Sequence, residues 1–222
     1  MARDETRKAE PVAGRDRSLI FFCLCGPGAS GKSTISRQLV AGDPTLKLSI
    51  STTTRAPRGS EQDGVEYHFV SEEEFGRRVE QSLFLEHAAF GSKRYGTGEE
   101  NLKDAVAAGQ DLILDIDVQG AAELKRLFGV QVVTVFVFPP SFAELEFRFR
   151  ARGTDSEARI QERLQMAEEE IRRLLAPGFS DYLLLNGTLA DSLEHARAIV
   201  SAERQRRARC SDSWLASIVS RG

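Results

Sequence analysis

The stretch Gly26-Pro27-Gly28-Ala29-Ser30-Gly31-Lys32-Ser33-Thr34 constrains this chain more than any other. It fits the pattern G-x-x-x-x-G-K-[ST], and its surroundings matter as much as the pattern. Residues 18–25 before it read Ser-Leu-Ile-Phe-Phe-Cys-Leu-Cys, an apolar run of strand length. Residues 35–40 after it read as the start of a helix. In a strand, glycine-rich turn and helix, backbone N–H groups can turn inward around a polyphosphate. The helix N-terminus adds partial positive charge at the same point. Lys32 then reaches the outer phosphates, and the Ser33 hydroxyl holds Mg²⁺.

The rest of the chain supplies the frame for such a loop. A short strand is predicted over residues 46–50. Buried strands are predicted over 111–117 and 132–138, and a last one over 182–185. Helices are predicted over 97–109, 120–128, 141–153, 156–175 and 192–207. Strands alternating with helices imply an α/β fold, a parallel sheet flanked by helices on both faces. The polar segment at 51–60 interrupts this rhythm. After it, residues 65–70 alternate like a strand. Ser71 followed by Glu72, Glu73 and Glu74 marks a helix start, with the helix reaching about Gln81. Two short strands follow, over 83–90 and 93–95. Residues 51–96 therefore read as a small mixed lobe inserted into a core of 18–50 and 97–207.

Composition narrows the class. The net charge is −3, which argues against a general nucleic-acid binder. No apolar run is long enough to span a bilayer. Residues 1–17 mix Arg, Lys, Asp and Glu without an apolar segment. They read as a disordered leader rather than a secretory signal or an acid-poor transit peptide. Residues 208–222 read as a tail, and the basic run 204–209 as a solvated helix end. Cys23, Cys25 and Cys210 complete no metal spacing. They read as two buried core residues and one free thiol, which places the chain in a reducing cytoplasm.

Two further groups carry chemistry. Asp115 and Asp117 stand at the carboxyl end of a predicted strand, two apart and so on one face. One can hold Mg²⁺ and the other can accept a hydrogen bond from a ligand. Arg55 and Arg58 lie in the polar segment, with Tyr67 after them. Arg148, Arg152 and Arg163 flank Arg152-Gly153-Thr154-Asp155. Guanidinium groups bind phosphate in bidentate fashion, and phosphoryl transfer needs positive charge around the moving group.

These stretches together resemble the guanylate kinase family. The matching segments are the glycine-rich loop, Ser51-Thr52-Thr53-Thr54-Arg55-Ala56-Pro57-Arg58 and Asp63-Gly64-Val65-Glu66-Tyr67-His68-Phe69-Val70. Beyond them come Tyr95-Gly96-Thr97, Leu114-Asp115-Ile116-Asp117-Val118-Gln119-Gly120-Ala121 and Arg152-Gly153-Thr154-Asp155-Ser156. Phe84-Leu85-Glu86-His87-Ala88, Phe138-Pro139-Pro140-Ser141, Arg163-Leu164 and Asp181-Tyr182 with Asn186 also match, and the segments are collinear across the chain from residue 19 to about 204. The resemblance implies a P-loop fold with a GMP-binding lobe at 51–96 and a lid at about 148–163. It implies transfer of the γ-phosphoryl group of ATP to GMP (and dGMP), with Mg²⁺ as cofactor. ATP and GMP are then the small-molecule partners, and no membrane, nucleic acid or protein partner is implied.

Roles follow by position. Gly26, Pro27, Gly28, Ala29, Ser30, Gly31, Lys32, Ser33 and Thr34 would hold ATP, with Arg148 over its phosphates and Asn186 near its adenine. Ser51, Arg55, Arg58, Tyr67 and Tyr95 would hold the acceptor's phosphate. Glu86, Thr97 and Asp117 would read guanine. Lys32, Arg58, Arg152 and Arg163 would serve catalysis, and Ser33 and Asp115 the metal. Guanine offers N1–H and N2–H₂ as donors and O6 as an acceptor. Ionised Glu86 and Asp117 would accept from the former, and the Thr97 hydroxyl would donate to the latter. Three departures from the family pattern stand out. A glycine has moved one place earlier in the loop, so Ala29 must take backbone angles that glycine usually adopts. Cationic Arg94 precedes Tyr95. Asn186-Gly187-Thr188 replaces Asn-Asp-Asp.

Overall fold

The computed structural model describes residues 18–151, 153, 156–174, 180–213 and 216. The leader, Arg152 and much of the tail lie outside the described residues. The central strand is β1 (Phe21–Cys25), every residue of it buried. Its continuous apolar run serves two faces at once. Ile20, Phe22 and Leu24 pack with Ile35, Leu39, Leu193, Ala196 and Val200. Leu19, Phe21 and Cys23 pack on the other side with Ala105, Ala121, Leu124 and Phe128. Alternation at period two therefore feeds two helical layers, the helices over 32–42 and 189–204 on one face and those over 99–108 and 118–128 on the other.

After β1 come α1 (Lys32–Gly42) and β2 (Leu46–Leu48). Next is an insertion built from β3 (Thr52–Thr53), β4 (His68–Phe69), α2 (Glu72–Glu80), β5 (Phe84–Phe90) and β6 (Lys93–Gly98). The core resumes with α3 (Glu99–Ala108), β7 (Asp111–Asp115), α4 (Val118–Phe128) and β8 (Val132–Phe138). It closes with α5 (Phe142–Ala151), α6 (Glu157–Arg173), β9 (Tyr182–Leu185) and α7 (Leu189–Arg204). The main sheet has the order β2-β7-β1-β8-β9, and every pairing is parallel. The insertion forms its own sheet, β4-β3-β6-β5. In a doubly wound sheet ligands bind beyond the carboxyl ends of the strands, where the order reverses. The loops after β1, β7, β8 and β9 all open there.

Several local expectations change. The alternating stretch 65–70 yields strand only at His68–Phe69, because residues 62–67 turn back on themselves. There Gly64 N donates to Tyr67 O and Gln62 N to the Glu66 carboxylate. Thr97 is strand, not helix: it pairs with Glu86 across β5 and β6, and α3 starts at Glu99. β7 stops at Asp115, and Asp117 instead caps α4 by accepting from Gly120 N at 2.8 Å. Arg94 sends its guanidinium over the Phe75 ring, 4.4 Å from the centroid, on the lobe's own small core.

The basic end is not solvated throughout. Arg209 sits in a 3-10 turn (Arg207–Arg209) and is 7% exposed. It donates to the Glu203 carboxylate at 3.1 and 2.5 Å and to Val130 O. The Tyr182 hydroxyl donates to the same carboxylate at 2.7 Å. Burial raises the Glu203 pKa, but these hydrogen bonds outweigh it and hold it low. Arg209→Ala leaves this carboxylate buried without its buried cationic partner. The expected loss is about 3 kcal/mol of unfolding free energy, read from urea melts.

Candidate active site

The glycine-rich loop is shaped by close approach. Gly26 has φ 128°, and a Cβ there would stand 2.3 Å from Val137 O. Gly31 has φ 98°, and a Cβ there would stand 2.0 Å from the Asn186 amide nitrogen. Ala29 does take the left-handed region, at φ 63°. That conformation costs a non-glycine residue about 1–2 kcal/mol. The cost is partly offset, because the methyl is buried among Leu145, Phe149, Ile160, Leu164 and Ala167, and a buried carbon is worth about 0.8 kcal/mol. Gly31 precedes α1 and no side chain caps it, so the first N–H groups of the helix face the loop's interior.

Lys32 and Ser33 converge on Asp115. Lys32 Nζ donates to Gly26 O at 2.6 Å and Pro27 O at 3.0 Å, and lies 3.9 Å from an Asp115 oxygen. Ser33 Oγ donates to the other Asp115 oxygen at 2.5 Å. A hydroxyl and a carboxylate so placed fit Mg²⁺, which takes one or two carboxylates plus substrate phosphates. Among the described residues no group of three or more His, Cys, Asp or Glu is placed to hold a metal by itself.

A second cluster lies in the lobe. Arg55 makes two hydrogen bonds to the Glu61 carboxylate, at 2.8 and 3.0 Å, and lies over the Tyr67 ring at 5.2 Å. Tyr67 and Tyr95 meet edge to face with centroids 6.0 Å apart. Burial and the nearby Asp115 carboxylate raise the Tyr67 pKa, so its hydroxyl stays a donor. Glu61 also accepts from Arg58 N at 2.8 Å. Burial alone would raise the Glu61 pKa, but the bonds from Arg55 and Arg58 lower it. Among the described residues the Arg58 guanidinium has no hydrogen-bond partner. Ser51 is buried immediately before β3, where its carbonyl accepts from His68 N at 2.8 Å. Arg37 of α1 donates to Glu66 at 3.1 Å, so the lobe and the loop's own helix touch directly.

The third cluster joins lobe and core. Glu86 is 7% exposed, and its Oε1 accepts from the Thr97 hydroxyl at 2.6 Å. A Cβ at Gly120 would come within 2.6 Å of Oε2, so glycine is needed there. Burial pushes the Glu86 pKa up to about 7. The Thr97 bond lowers it, and the Asp117 and Glu123 charges raise it. Two of the expected guanine-reading groups, Glu86 and Thr97, therefore differ from the sequence reading. Glu86 is only partly ionised near neutral pH, and the Thr97 proton already goes to Glu86 rather than remaining free for O6.

The expected lid residues divide. Arg148 donates to Asn186 O at 3.1 Å and to Glu144 at 2.8 Å. Arg163 lies over the Phe149 ring at 5.6 Å. Arg152 lies outside the described residues. Asn186 is buried and donates to Ser30 O at 2.6 Å. Sequence reasoning missed Glu61, Glu66, Arg37 and Ser192. Glu61 lies among ordinary surface residues in the chain, and no spacing singles it out.

A wholly parallel sheet with a glycine-rich loop after its central strand defines a P-loop nucleotide-binding protein. The chain belongs to the guanylate kinase family: a family model described as guanylate kinase matches residues 18–203. The protein named guanylate kinase from Anaeromyxobacter dehalogenans is 44% identical, over 85% of this chain and 83% of that protein. Its namesake from Neisseria meningitidis serogroup B is 43% identical, over 85% and 90%. The crystal structure of guanylate kinase from Anaplasma phagocytophilum has a TM-score of 0.70 at 29% identity, covering 89% of this chain and 92% of that one.

Proposed function

We propose that this chain transfers the γ-phosphoryl group of ATP to GMP, giving ADP and GDP, with Mg²⁺ as cofactor. The observation that carries the reading is the neighbourhood of two sites. Asp117 stands beside Glu86, whose Oε1 accepts from the Thr97 hydroxyl, and it follows by two residues Asp115, which accepts from the Ser33 hydroxyl of the P-loop. Residues 51–96 form the GMP-binding lobe and residues 148–163 the lid. The core comprises 18–50 and 97–207. Among the described residues no helix is long and apolar enough to cross a membrane. The Cys25 thiol is pushed up to about 12 by burial and is therefore inert, as suits a structural thiol in the cytoplasm.

The chemistry requires alignment and charge. The acceptor phosphate is already an anion, so no side chain need take a proton from it. Lys32 and the N–H groups of the loop hold the donor phosphates. Arg55, Arg58, Tyr67 and Tyr95 hold the acceptor phosphate. Ser33 and Asp115 would hold Mg²⁺, which when bound would supply charge neutralisation at the donor phosphates. The lobe and lid exclude water, which would otherwise consume ATP.

The direct test is a coupled ADP-release assay with GMP, AMP, CMP and UMP. GMP should be the preferred acceptor by several orders of magnitude. Equal turnover of AMP would sink the assignment. A sharper test falls on Glu61, which aims the Arg55 guanidinium and holds the Arg58 backbone N–H. Glu61→Gln removes a charge-assisted pair worth about 1.5–3 kcal/mol. It should raise the KM for GMP roughly tenfold, with the KM for ATP unchanged.

A further inference from the structure

The side chain that leans hardest on the phosphate loop comes from the far edge of the sheet. Asn186 follows β9, and its backbone N donates to Phe138 O at 2.8 Å, which pins it to the end of β8. Its amide nitrogen donates to Ser30 O at 2.6 Å, in the middle of the loop. Its amide oxygen lies 2.8 Å from the Ser192 hydroxyl, which shares one proton between that oxygen and Thr188 O at 2.7 Å. Asn186 is 8% exposed and Ser192 is fully buried. The amide nitrogen lies close to Gly31, where a Cβ would stand 2.0 Å from it. Arg148 adds a third contact, donating to Asn186 O at 3.1 Å, with a long 3.5 Å approach to Ser30 O.

We infer that Asn186 is a positioning residue for the phosphate loop: its carboxamide braces Ser30, and the loop's grip on a polyphosphate depends on that brace rather than on contact with the donor's base. The carboxamide is committed within the protein at both ends. A loop with left-handed residues at Ala29 and Gly31 holds its shape only against fixed neighbours. Ser30 O is the carbonyl between those two residues. Fixing it orients the peptide whose N–H belongs to Gly31, directly before the helix that faces the phosphates. The brace also ties the loop to α5, the first helix of the lid, through Arg148.

The inference rests on the donor-site reading above, and its test separates the two. Calorimetry on the full chain measures binding of ATP, inorganic tripolyphosphate and GMP by the unmutated protein, Asn186→Ala and Asn186→Asp. The Asp variant keeps the shape and the Ser192 contact but cannot donate to Ser30, so it serves if the Ala variant fails to fold. ATP and tripolyphosphate should both weaken by the same factor, about tenfold for a lost buried donor. GMP affinity should be unchanged, which a general loss of structure would not give. Weakening of ATP alone would make Asn186 a base contact and overturn the brace. Unchanged binding of both ligands would overturn it as well. Failure of the unmutated protein to bind either ligand would remove the donor site itself, and the brace with it.

Discussion

Lys32→Ala lowers turnover of ATP and GMP by about a hundred- to a thousand-fold, the range found when one preorganised charge contact to a reacting centre is removed. The fold survives it. Lys32 opens α1, its side chain belongs to none of the apolar clusters, and its protein contacts are the Gly26 and Pro27 carbonyls and Asp115. Of those two carbonyls, Pro27 O keeps the Ser30 N–H as a donor when Lys32 is removed. The loss should appear in kcat more than in the KM for GMP, because the ammonium serves the donor phosphates. Circular dichroism melts of the variant should stay within a few degrees of the parent. Near-normal activity in a folded Lys32→Ala protein would mean that the loop is not the donor site.

Glu86→Gln is expected to move activity and stability in opposite directions. Glu86 faces Asp117 and Glu123 from α4 and Thr97 from β6, and burial pushes its pKa up to about 7. An unfolded glutamate titrates near 4.3. Between these two values the folded chain holds a proton that the unfolded chain has lost. Raising the pH through that window therefore lowers stability. Above pH 7 the folded protein keeps a buried carboxylate at a cost. The neutral amide in Glu86→Gln has no such cost, so the variant should melt higher than the parent at pH 8.

Activity runs the other way. The ionised carboxylate accepts from guanine N1–H or N2–H₂, so kcat/KM for GMP should rise as the pH passes upward through about 7. Gln offers an NH₂ in place of one acceptor oxygen. Facing another donor, it cannot pair there. The expected loss is about 1.5–3 kcal/mol, roughly ten- to a hundred-fold in kcat/KM for GMP. The ATP curve should hardly change, and the pH step near 7 should flatten. Asp117→Asn should keep that step but move it to lower pH, because one like charge is gone. Equal damage to the GMP and ATP curves would mean that these acids support the fold or the metal.

The sequence by itself determined the framework. The run before the loop became β1, buried on both faces, because apolar side chains with no polar alternation have no exposed face to offer. Gly26, Gly31 and the displaced glycine announced the loop's geometry, and Ala29 stands in the left-handed region that its position demands. Ser71 capped α2 through Glu74 N because an N-cap is a contact within four residues. Such features are local, and local chemistry is legible in the order of residues.

Tertiary structure decided how the named residues are used. Thr97 looked like a helix start and became a strand, because the fold pairs it with Glu86 eleven positions away. Asp117 looked like a second acid on a strand face and became a helix cap. Arg55 looked free for phosphate and is aimed by Glu61. Arg209 looked solvated and is buried against Glu203 and Val130. Asn186 looked like a base contact and holds Ser30, which lies 156 positions earlier. Each is a polar side chain whose partner is chosen by packing. Hydrogen-bond donors and acceptors have many possible partners along a chain, and only the folded core fixes which one lies within 3 Å.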